Sequence, residues 1–138
     1  MNFNQFSVLG IIINLLVYII VGMAVYSPLL FGKVWQKNKG LSGEDLAGSG
    51  NSLILSTLSG FLAISMLYVI IDLLNYSTPL WGLMIGLIMA LFAVATNFNL
   101  VVYDKSKGTK NRLRVWLIDS FNTILVYALA GAVFGILL

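Results

Sequence analysis

Long stretches of this chain contain no charged residue, and this feature constrains its fold most strongly. Residues Asn2–Gly32 and Ala47–Ile71 include no Asp, Glu, Lys or Arg. About 20 apolar residues in a helix cross a bilayer core about 30 Å thick. Only 9% of the residues are charged and 59% are hydrophobic, whereas soluble domains carry about 25% charged residues. The apolar surplus must therefore face lipid, and we expect residues 1–138 to form a single transmembrane domain.

The sequence predicts an all-α bundle of four antiparallel transmembrane helices. They cover about residues 6–31, 51–74, 79–103 and 113–138. The turn Asn75–Thr78 is short enough to join only antiparallel neighbours, with Ser77 or Thr78 as the N-cap and Pro79 at the first helical position. In the longer first loop, Ser42-Gly43-Glu44-Asp45 is typical of a capping box that begins a short helical turn.

The basic residues predict how the chain is oriented in the membrane. All 8 Lys and Arg residues lie in two loops or at their helix junctions, and these loops share one side of a four-helix bundle. They are Lys33, Lys37, Lys39, Lys105, Lys107, Lys110, Arg112 and Arg114. The positive-inside rule places them in the cytoplasm. We therefore expect a multi-pass protein of the cell membrane with both termini outside, and basic loops that attract anionic lipid headgroups.

Several classes of chemistry are disfavoured by the composition. The chain has no Cys and no His, so the commonest general base and transition-metal ligand are missing. The intramembrane acids Asp72 and Asp119 are predicted near opposite sides of the bilayer and cannot share a site. We expect no enzyme activity, no cofactor and no metal. Without a glycine-rich phosphate loop or interleaved aromatic and basic residues, the loops do not indicate nucleic-acid binding.

One motif follows the first predicted helix. Tyr26-Ser27-Pro28-Leu29-Leu30-Phe31-Gly32-Lys33-Val34-Trp35 is followed by Gly40-Leu41-Ser42-Gly43-Glu44-Asp45-Leu46. This pair of elements resembles the signature of the domain of unknown function 1761 family, which comprises small prokaryotic membrane proteins. The resemblance implies four membrane helices, and it brings no substrate, cofactor or catalytic residue.

The motif has a structural interpretation and a functional one. Pro28 is expected to kink the end of helix 1, Phe31 and Trp35 to anchor at the interface, and Gly32 to allow a tight exit. Alternatively, Tyr26 and Ser27 bind a ligand at the kink, as the broken helices of transporters do. The structural interpretation is favoured because kinks near the interface are common in membrane helices.

Polar residues within the predicted helices indicate an interior pocket in the cytoplasmic half. Asp119, Asn122 and Thr123 lie on one face of helix 4. Other polar residues occupy a similar depth on the other helices. The full predicted pocket is Asp119, Asn122, Thr123, Asn97, Asn99, Tyr26 and Asn51. Interhelical hydrogen bonding is the simpler explanation for the Asn and Thr residues.

Two roles are open for the Asp119 side chain, and the sequence does not favour either of them. A carboxylate at that depth must be paired, protonated or hydrated. Arg112 precedes it by two helical turns on the same face and could reach towards it. If Arg112 or Asn donors reach it, Asp119 is a structural tie. If none does, it is a candidate proton-linked site.

Rows of small residues indicate close helix packing. Helix 3 contains Gly82, Gly86 and Ala90, and helix 4 contains Gly131 and Gly135, each at four-residue spacing. Such rows let helix backbones approach closely. They fit packing within one bundle or the contact surface of a homodimer.

Two functions from different classes are open. The preferred one is a small-solute or ion transport or channel-type subunit that uses the cytoplasmic pocket and, with few helices, works as an oligomer. The alternative is a non-catalytic scaffold that binds lipid or a partner protein. The sequence specifies no small-molecule ligand.

Overall fold

The described part of the chain is helical. A computed structural model describes residues 5–47, 50–75, 78–103 and 107–138. Its helices are α1 (Gln5–Val25), α2 (Gly32–Lys39), α3 (Gly43–Ala47), α4 (Gly50–Leu74), α5 (Pro79–Asn97), α6 (Asn99–Tyr103) and α7 (Thr109–Leu137). Four spans are long and apolar enough to cross a membrane, in α1, in α4, along α5 with α6, and in α7. The predicted all-α bundle of four membrane helices is confirmed. Ser77 and Lys105, which the sequence predictions used, lie outside the described residues.

Contacts between distant residues show that α1 and α7, the first and last of the long helices, run antiparallel. Gly10 of α1 lies against Phe134 of α7, while Tyr26, just after α1, reaches Asp119. The segments Lys33–Leu41 and Lys107–Arg112 therefore lie together, and we call this side the basic end. The side that carries Thr78 and Leu138 is the opposite end.

Two predicted helix boundaries are wrong, and one predicted helix contains a break within its correct bounds. The first helix ends at Val25 rather than Phe31, because a turn around Pro28 replaces the expected kink. The helix predicted over residues 79–103 is interrupted at Phe98, whose N–H bonds to the Ala95 carbonyl. The Thr96 hydroxyl next to this break donates to the Phe92 and Ala93 carbonyls, and such side-chain bonds compete with the helical pattern.

The last helix begins at Thr109, one turn before the predicted Leu113. The backbone N–H groups of Asn111 and Arg112 both donate to the Gly108 carbonyl. Helical hydrogen bonds do not require apolar side chains, so the helix extends past the apolar stretch into the basic segment. Hydropathy alone could not place this boundary.

Two predicted helix caps are present. The Thr78 Oγ1 accepts a hydrogen bond from the Trp81 N–H at 3.3 Å, with Pro79 beginning α5. At α3, the Ser42 Oγ accepts from the Asp45 N–H, and the Asp45 carboxylate accepts from the Ser42 N–H and hydroxyl. This is the reciprocal pattern of a capping box. The bonds from the Ser42 backbone N–H and hydroxyl lower the pKa of Asp45.

The closest helix pair is α5 with α7, and glycines face each other across it. A Cβ atom on Gly82 would overlap the Gly131 carbonyl oxygen, and one on Gly131 would overlap the Gly82 carbonyl oxygen. Gly86 meets the Tyr127 carbonyl in the same way, and Gly135 meets that of Thr78. Ala90 continues the row and is fully buried. The predicted rows of small residues thus pack against each other inside one subunit.

An apolar core fills the bundle towards the opposite end. It joins α4, α5 and α7, and α1 packs against it through Ile11 and Leu15. Its buried members are Ile64, Leu67, Tyr68, Ile71, Ile85, Ala130 and Phe134. Large aliphatic side chains such as Leu62 and Ile88 are each 64% exposed on the outer surface. A surface of this composition fits lipid and not water.

The α5–α7 contact predicts a large effect for one methyl group. Gly86→Ala should lower the free energy of unfolding by about 1–3 kcal/mol, the usual cost of overpacking, because its Cβ would overlap backbone atoms. Gly22→Ala is the matched control, since a Cβ there meets nothing within 4 Å. Thermal unfolding in detergent should show a lower midpoint for Gly86→Ala alone. Equal midpoints for the two variants would contradict this packing.

Candidate functional site

The segment between α1 and α2 is a compact turn built by the motif residues. The Phe31 N–H donates to the Val25 carbonyl at 3.1 Å, and the Gly32 N–H donates to the Ser27 carbonyl at 2.9 Å. Pro28 has no N–H to donate, so it fits a position where the helical ladder stops. A Cβ on Gly32 would overlap the Tyr26 carbonyl oxygen. Only glycine therefore allows α2 to begin directly against the end of α1.

This turn directs α2 onto α7 and brings two motif side chains to Asp119. The Tyr26 hydroxyl donates to Asp119 Oδ1 at 2.7 Å, and the Trp35 Nε1 donates to the same oxygen at 2.8 Å. The two rings meet edge to face, with centroids 5.1 Å apart. No hydrogen bond to Asp119 Oδ2 comes from a residue in the described ranges. Both donors thus come from the motif and bind the same carboxylate oxygen.

The Arg112 side chain bonds to groups other than Asp119, although its spacing on the same helical face had left such a contact open. Its Nη1 donates to the Val101 carbonyl and, at 3.4 Å, to the Val102 carbonyl, while its Nη2 donates to Thr109 Oγ1 at 3.1 Å. These carbonyls lie in the short helix α6, where a cation is favourable near the C-terminus. The guanidinium is thus drawn to backbone acceptors near its own turn, and Asp119 is tied by neutral donors instead.

A cavity of about 560 Å³ lies beside Asp119 at the basic end. Residues of α2, α5, α6 and α7 and of the adjoining loops form its walls, and they combine basic, amide and apolar side chains. The lining residues are Asn38, Lys39, Leu41, Val94, Asn97, Val101, Lys107, Arg112, Val115, Trp116, Asp119, Ser120 and Thr123. Ligand sites in proteins typically enclose about 300–1,000 Å³. We call this space the large cavity.

The two basic loops meet at the rim of the large cavity. The Lys107 Nζ donates to the Lys39 carbonyl at the end of α2, where Gly40 adopts a left-handed conformation with φ of 70°. The Lys39 Nζ lies 4.4 Å from the centroid of the Trp35 ring, a cation–π distance. The rim is therefore connected to the Asp119 site through Trp35.

A second cavity of about 250 Å³ lies deeper in the bundle, and we call it the small cavity. Asn97 and Thr123 line both cavities. Its other polar lining side chains are Tyr18, Ser59, Asn122 and Tyr127. The Asn122 Oδ1 is buried and has no hydrogen-bond partner among the described residues.

Asn14 extends this polar region one helical turn beyond Tyr18. It is 0% exposed, and neither its Oδ1 nor its Nδ2 has a hydrogen-bond partner among the described residues. An unsatisfied buried polar group costs about 1–3 kcal/mol. Polar groups left in this state mark places where water or a ligand would bind.

The structure brings most of the predicted pocket residues together. Asp119, Asn97, Thr123 and Asn122 line one or both cavities, and Tyr26 is bonded to Asp119. Asn51 and Asn99 are exposed residues that do not line either cavity.

Trp35 was predicted only as an interfacial anchor, and its bond to Asp119 depends on the turn after α1. The short α2 helix carries Trp35 and Lys39 one turn apart, and this spacing lets the Lys39 Nζ lie over the Trp35 ring. Within the described ranges, no group of three or more acidic, His or Cys side chains could hold a metal ion.

The chain that carries this arrangement matches a known protein family. A family model described as "Protein of unknown function (DUF1761)" matches residues 9–135. The chain belongs to this family. No curated protein and no solved structure matches it. In this DUF1761 protein, the motif residues Tyr26, Pro28, Gly32 and Trp35 make a turn that ties α2 to Asp119.

The hydrogen bond from Tyr26 to Asp119 predicts that a single hydroxyl group contributes measurably to the stability of the protein. Tyr26→Phe deletes the donor and keeps the ring contact with Trp35. We expect it to lower the free energy of unfolding by about 1–2 kcal/mol, above the average of about 0.6 kcal/mol for interhelical hydrogen bonds in membranes. Tyr103→Phe is the control, because Tyr103 is 77% exposed. Equal stability of the two variants in detergent unfolding would contradict the tie.

Proposed function

We propose that this DUF1761 protein is a transport-type membrane subunit that takes a small solute from its basic end. The observation that carries the proposal is the pair of cavities that share the polar lining residues Asn97 and Thr123. A solute in the large cavity would meet polar side chains that continue inward to Asn122 and Tyr127. The apolar core closes the bundle on the far side of the small cavity.

The buried polar atoms support a path rather than a dry scaffold. In a scaffold, buried side-chain amides are expected to have hydrogen-bond partners, because an unpaired amide lowers stability and serves no function there. Asn122 Oδ1 and both amide atoms of Asn14 lack partners among the described residues. Water or a polar solute in the small cavity would satisfy Asn122.

The alternative scaffold function is favoured by the apolar residues of the large cavity, such as Val94 and Val115, which suit a lipid chain.

The orientation in this proposal follows the basic residues. The positive-inside rule would put the basic end in the cytoplasm of a cell-membrane protein, with both termini outside. Basic residues at that end would also attract anionic lipid headgroups. We propose no enzymatic step, because the chain has no His and no Cys and Asp119 is engaged by Tyr26 and Trp35.

A homodimer is part of the proposal because four helices are few to enclose a complete path. The glycine rows of α5 and α7 face each other within one subunit. A second copy would therefore have to use another face, such as the outward side of α1 or α4.

Cysteine accessibility tests the path and its orientation together, and the absence of native Cys makes single-cysteine variants unambiguous. Ala63 lines the small cavity, whereas the adjacent Leu62 is 64% exposed on the outer surface. A small charged thiol reagent reacts with the thiolate, which forms in water and not in lipid. We expect Ala63→Cys to react and Leu62→Cys not to react. The reaction should occur in inside-out vesicles and not in intact cells.

Lys37→Cys is the reference for the basic end, because this side chain is exposed on α2. Ala63→Cys should be modified from the same side as Lys37→Cys. Labelling of both from outside intact cells would reverse the orientation and keep the path. If Ala63→Cys is as unreactive as Leu62→Cys, the small cavity is closed to water and the transport proposal fails.

A further inference from the structure

The charges around the large cavity are mostly positive. Lys39, Lys107 and Arg112 line it, and Asp119 is its acidic lining residue. The Oδ1 of Asp119 is already satisfied by Tyr26 and Trp35. Low-dielectric walls strengthen the field of the surrounding cations. The cavity therefore favours a ligand that carries negative charge.

Arg112 lines the large cavity and has one guanidinium donor with no partner in the described part of the chain. Its Nη1 and Nη2 are fixed by the carbonyls of α6 and by Thr109, whereas its Nε is buried and has no partner among the described residues. A guanidinium N–H held in place by other bonds is preorganised for an oxyanion. An anionic oxygen near Nε would satisfy a donor that otherwise costs stability.

The rest of the wall near Arg112 is apolar. Val101 of α6, Val94 of α5 and Val115 of α7 face the cavity, together with Trp116. The Trp116 Nε1 is engaged by the Val94 carbonyl at 3.3 Å, so its N–H is not free for a ligand. This surface would bury a short hydrocarbon chain favourably, whereas a compact, fully hydrated ion has no apolar surface to bury there.

The positions of Arg112 and Asp119 set the direction in which a ligand would lie. Seven residues of α7 separate them, which is about 10 Å along a helix axis at about 1.5 Å per residue. An anionic group at Arg112 would thus be kept apart from the Asp119 carboxylate. The hydrocarbon chain would extend along the valines between them.

We propose that the large cavity binds an amphipathic anion, such as an alkyl phosphate, with its acidic group at Arg112 and its chain on the valine wall. This inference rests on the proposed solute site and names its substrate class. The same chemistry is offered by a soluble alkyl phosphate and by the phosphate of an anionic lipid.

Calorimetric titration with hexyl phosphate tests the proposal, using the full chain in nanodiscs of phosphatidylcholine. The wild type should bind hexyl phosphate, and Arg112→Gln should raise its Kd about tenfold or more, as expected for the loss of a charge-assisted bond. Lys110→Gln is the matched control, because Lys110 is an exposed residue of the same helical turn that does not line the cavity. Equal effects of the two variants would show only general attraction to a basic end and would overturn the site.

The ligand's chemistry is tested with two further probes, one that keeps the hexyl chain and one that keeps the phosphate. Hexylammonium should not bind, and inorganic phosphate should bind about tenfold or more weakly than hexyl phosphate, because it lacks the chain. Binding of hexylammonium as tight as that of hexyl phosphate would overturn the proposal. Val115→Phe covers the case in which Arg112→Gln does not fold. This variant should weaken the binding of hexyl phosphate, because the larger side chain occupies the space beside the apolar wall. An unchanged affinity would place the ligand elsewhere.

The source of the anion is distinguished by adding phosphatidate to the nanodiscs. Loss of hexyl phosphate binding would show that lipid phosphate occupies the same site, and unchanged binding would indicate a soluble ligand; both results support an amphipathic anion. This experiment is independent of thiol labelling. If hexyl phosphate binds and Ala63→Cys stays unreactive, transport fails while the anion site stands.

Discussion

The Asp119 carboxylate, held by the Tyr26 hydroxyl and the Trp35 indole N–H, is the interaction on which the basic end of the bundle depends. A polar group removed from water must find partners or lose stability, and a carboxyl group inside a membrane bundle has few available. The DUF1761 motif supplies two neutral donors to one oxygen. It does so because the turn at Pro28 and Gly32 ends α1 early and sends α2 back onto α7.

The same turn opens the space beside Asp119. If α1 continued straight to Phe31, as hydropathy suggests, Trp35 would lie near the interface instead of against α7. With α2 folded onto α7, its C-terminal end and the Lys107 side chain form the rim of the large cavity. Towards the opposite end, the glycine contacts between α5 and α7 bring those backbones together. The cavity therefore lies between a close helix pair and a short returning helix.

Hydropathy was sufficient to predict the spans, because each span must be apolar over the thickness of a bilayer. It also placed Asp119, Asn122 and Thr123 on one inward face, which follows from the helical repeat. It could not predict where polar sequence continues a helix, so the start of α7 at Thr109 was missed. The partners of Asp119 were missed because a hydrogen bond between residues far apart in sequence depends on the turn geometry. The sequence left open whether Arg112 reaches Asp119, and its guanidinium binds nearby backbone carbonyls instead.

A double-mutant cycle between Trp35→Phe and Asp119→Leu tests the central claim most directly. If the indole N–H and the carboxylate are bonded, the two changes should be non-additive in the free energy of unfolding, with a coupling of about 1 kcal/mol or more. The reference cycle replaces Trp35→Phe with Trp81→Phe, since Trp81 lies in the first turn of α5 at the opposite end of the bundle, far from Asp119. It should be additive to within about 0.5 kcal/mol. Additive effects of Trp35→Phe and Asp119→Leu would contradict the account, because α2 would then be placed without Asp119.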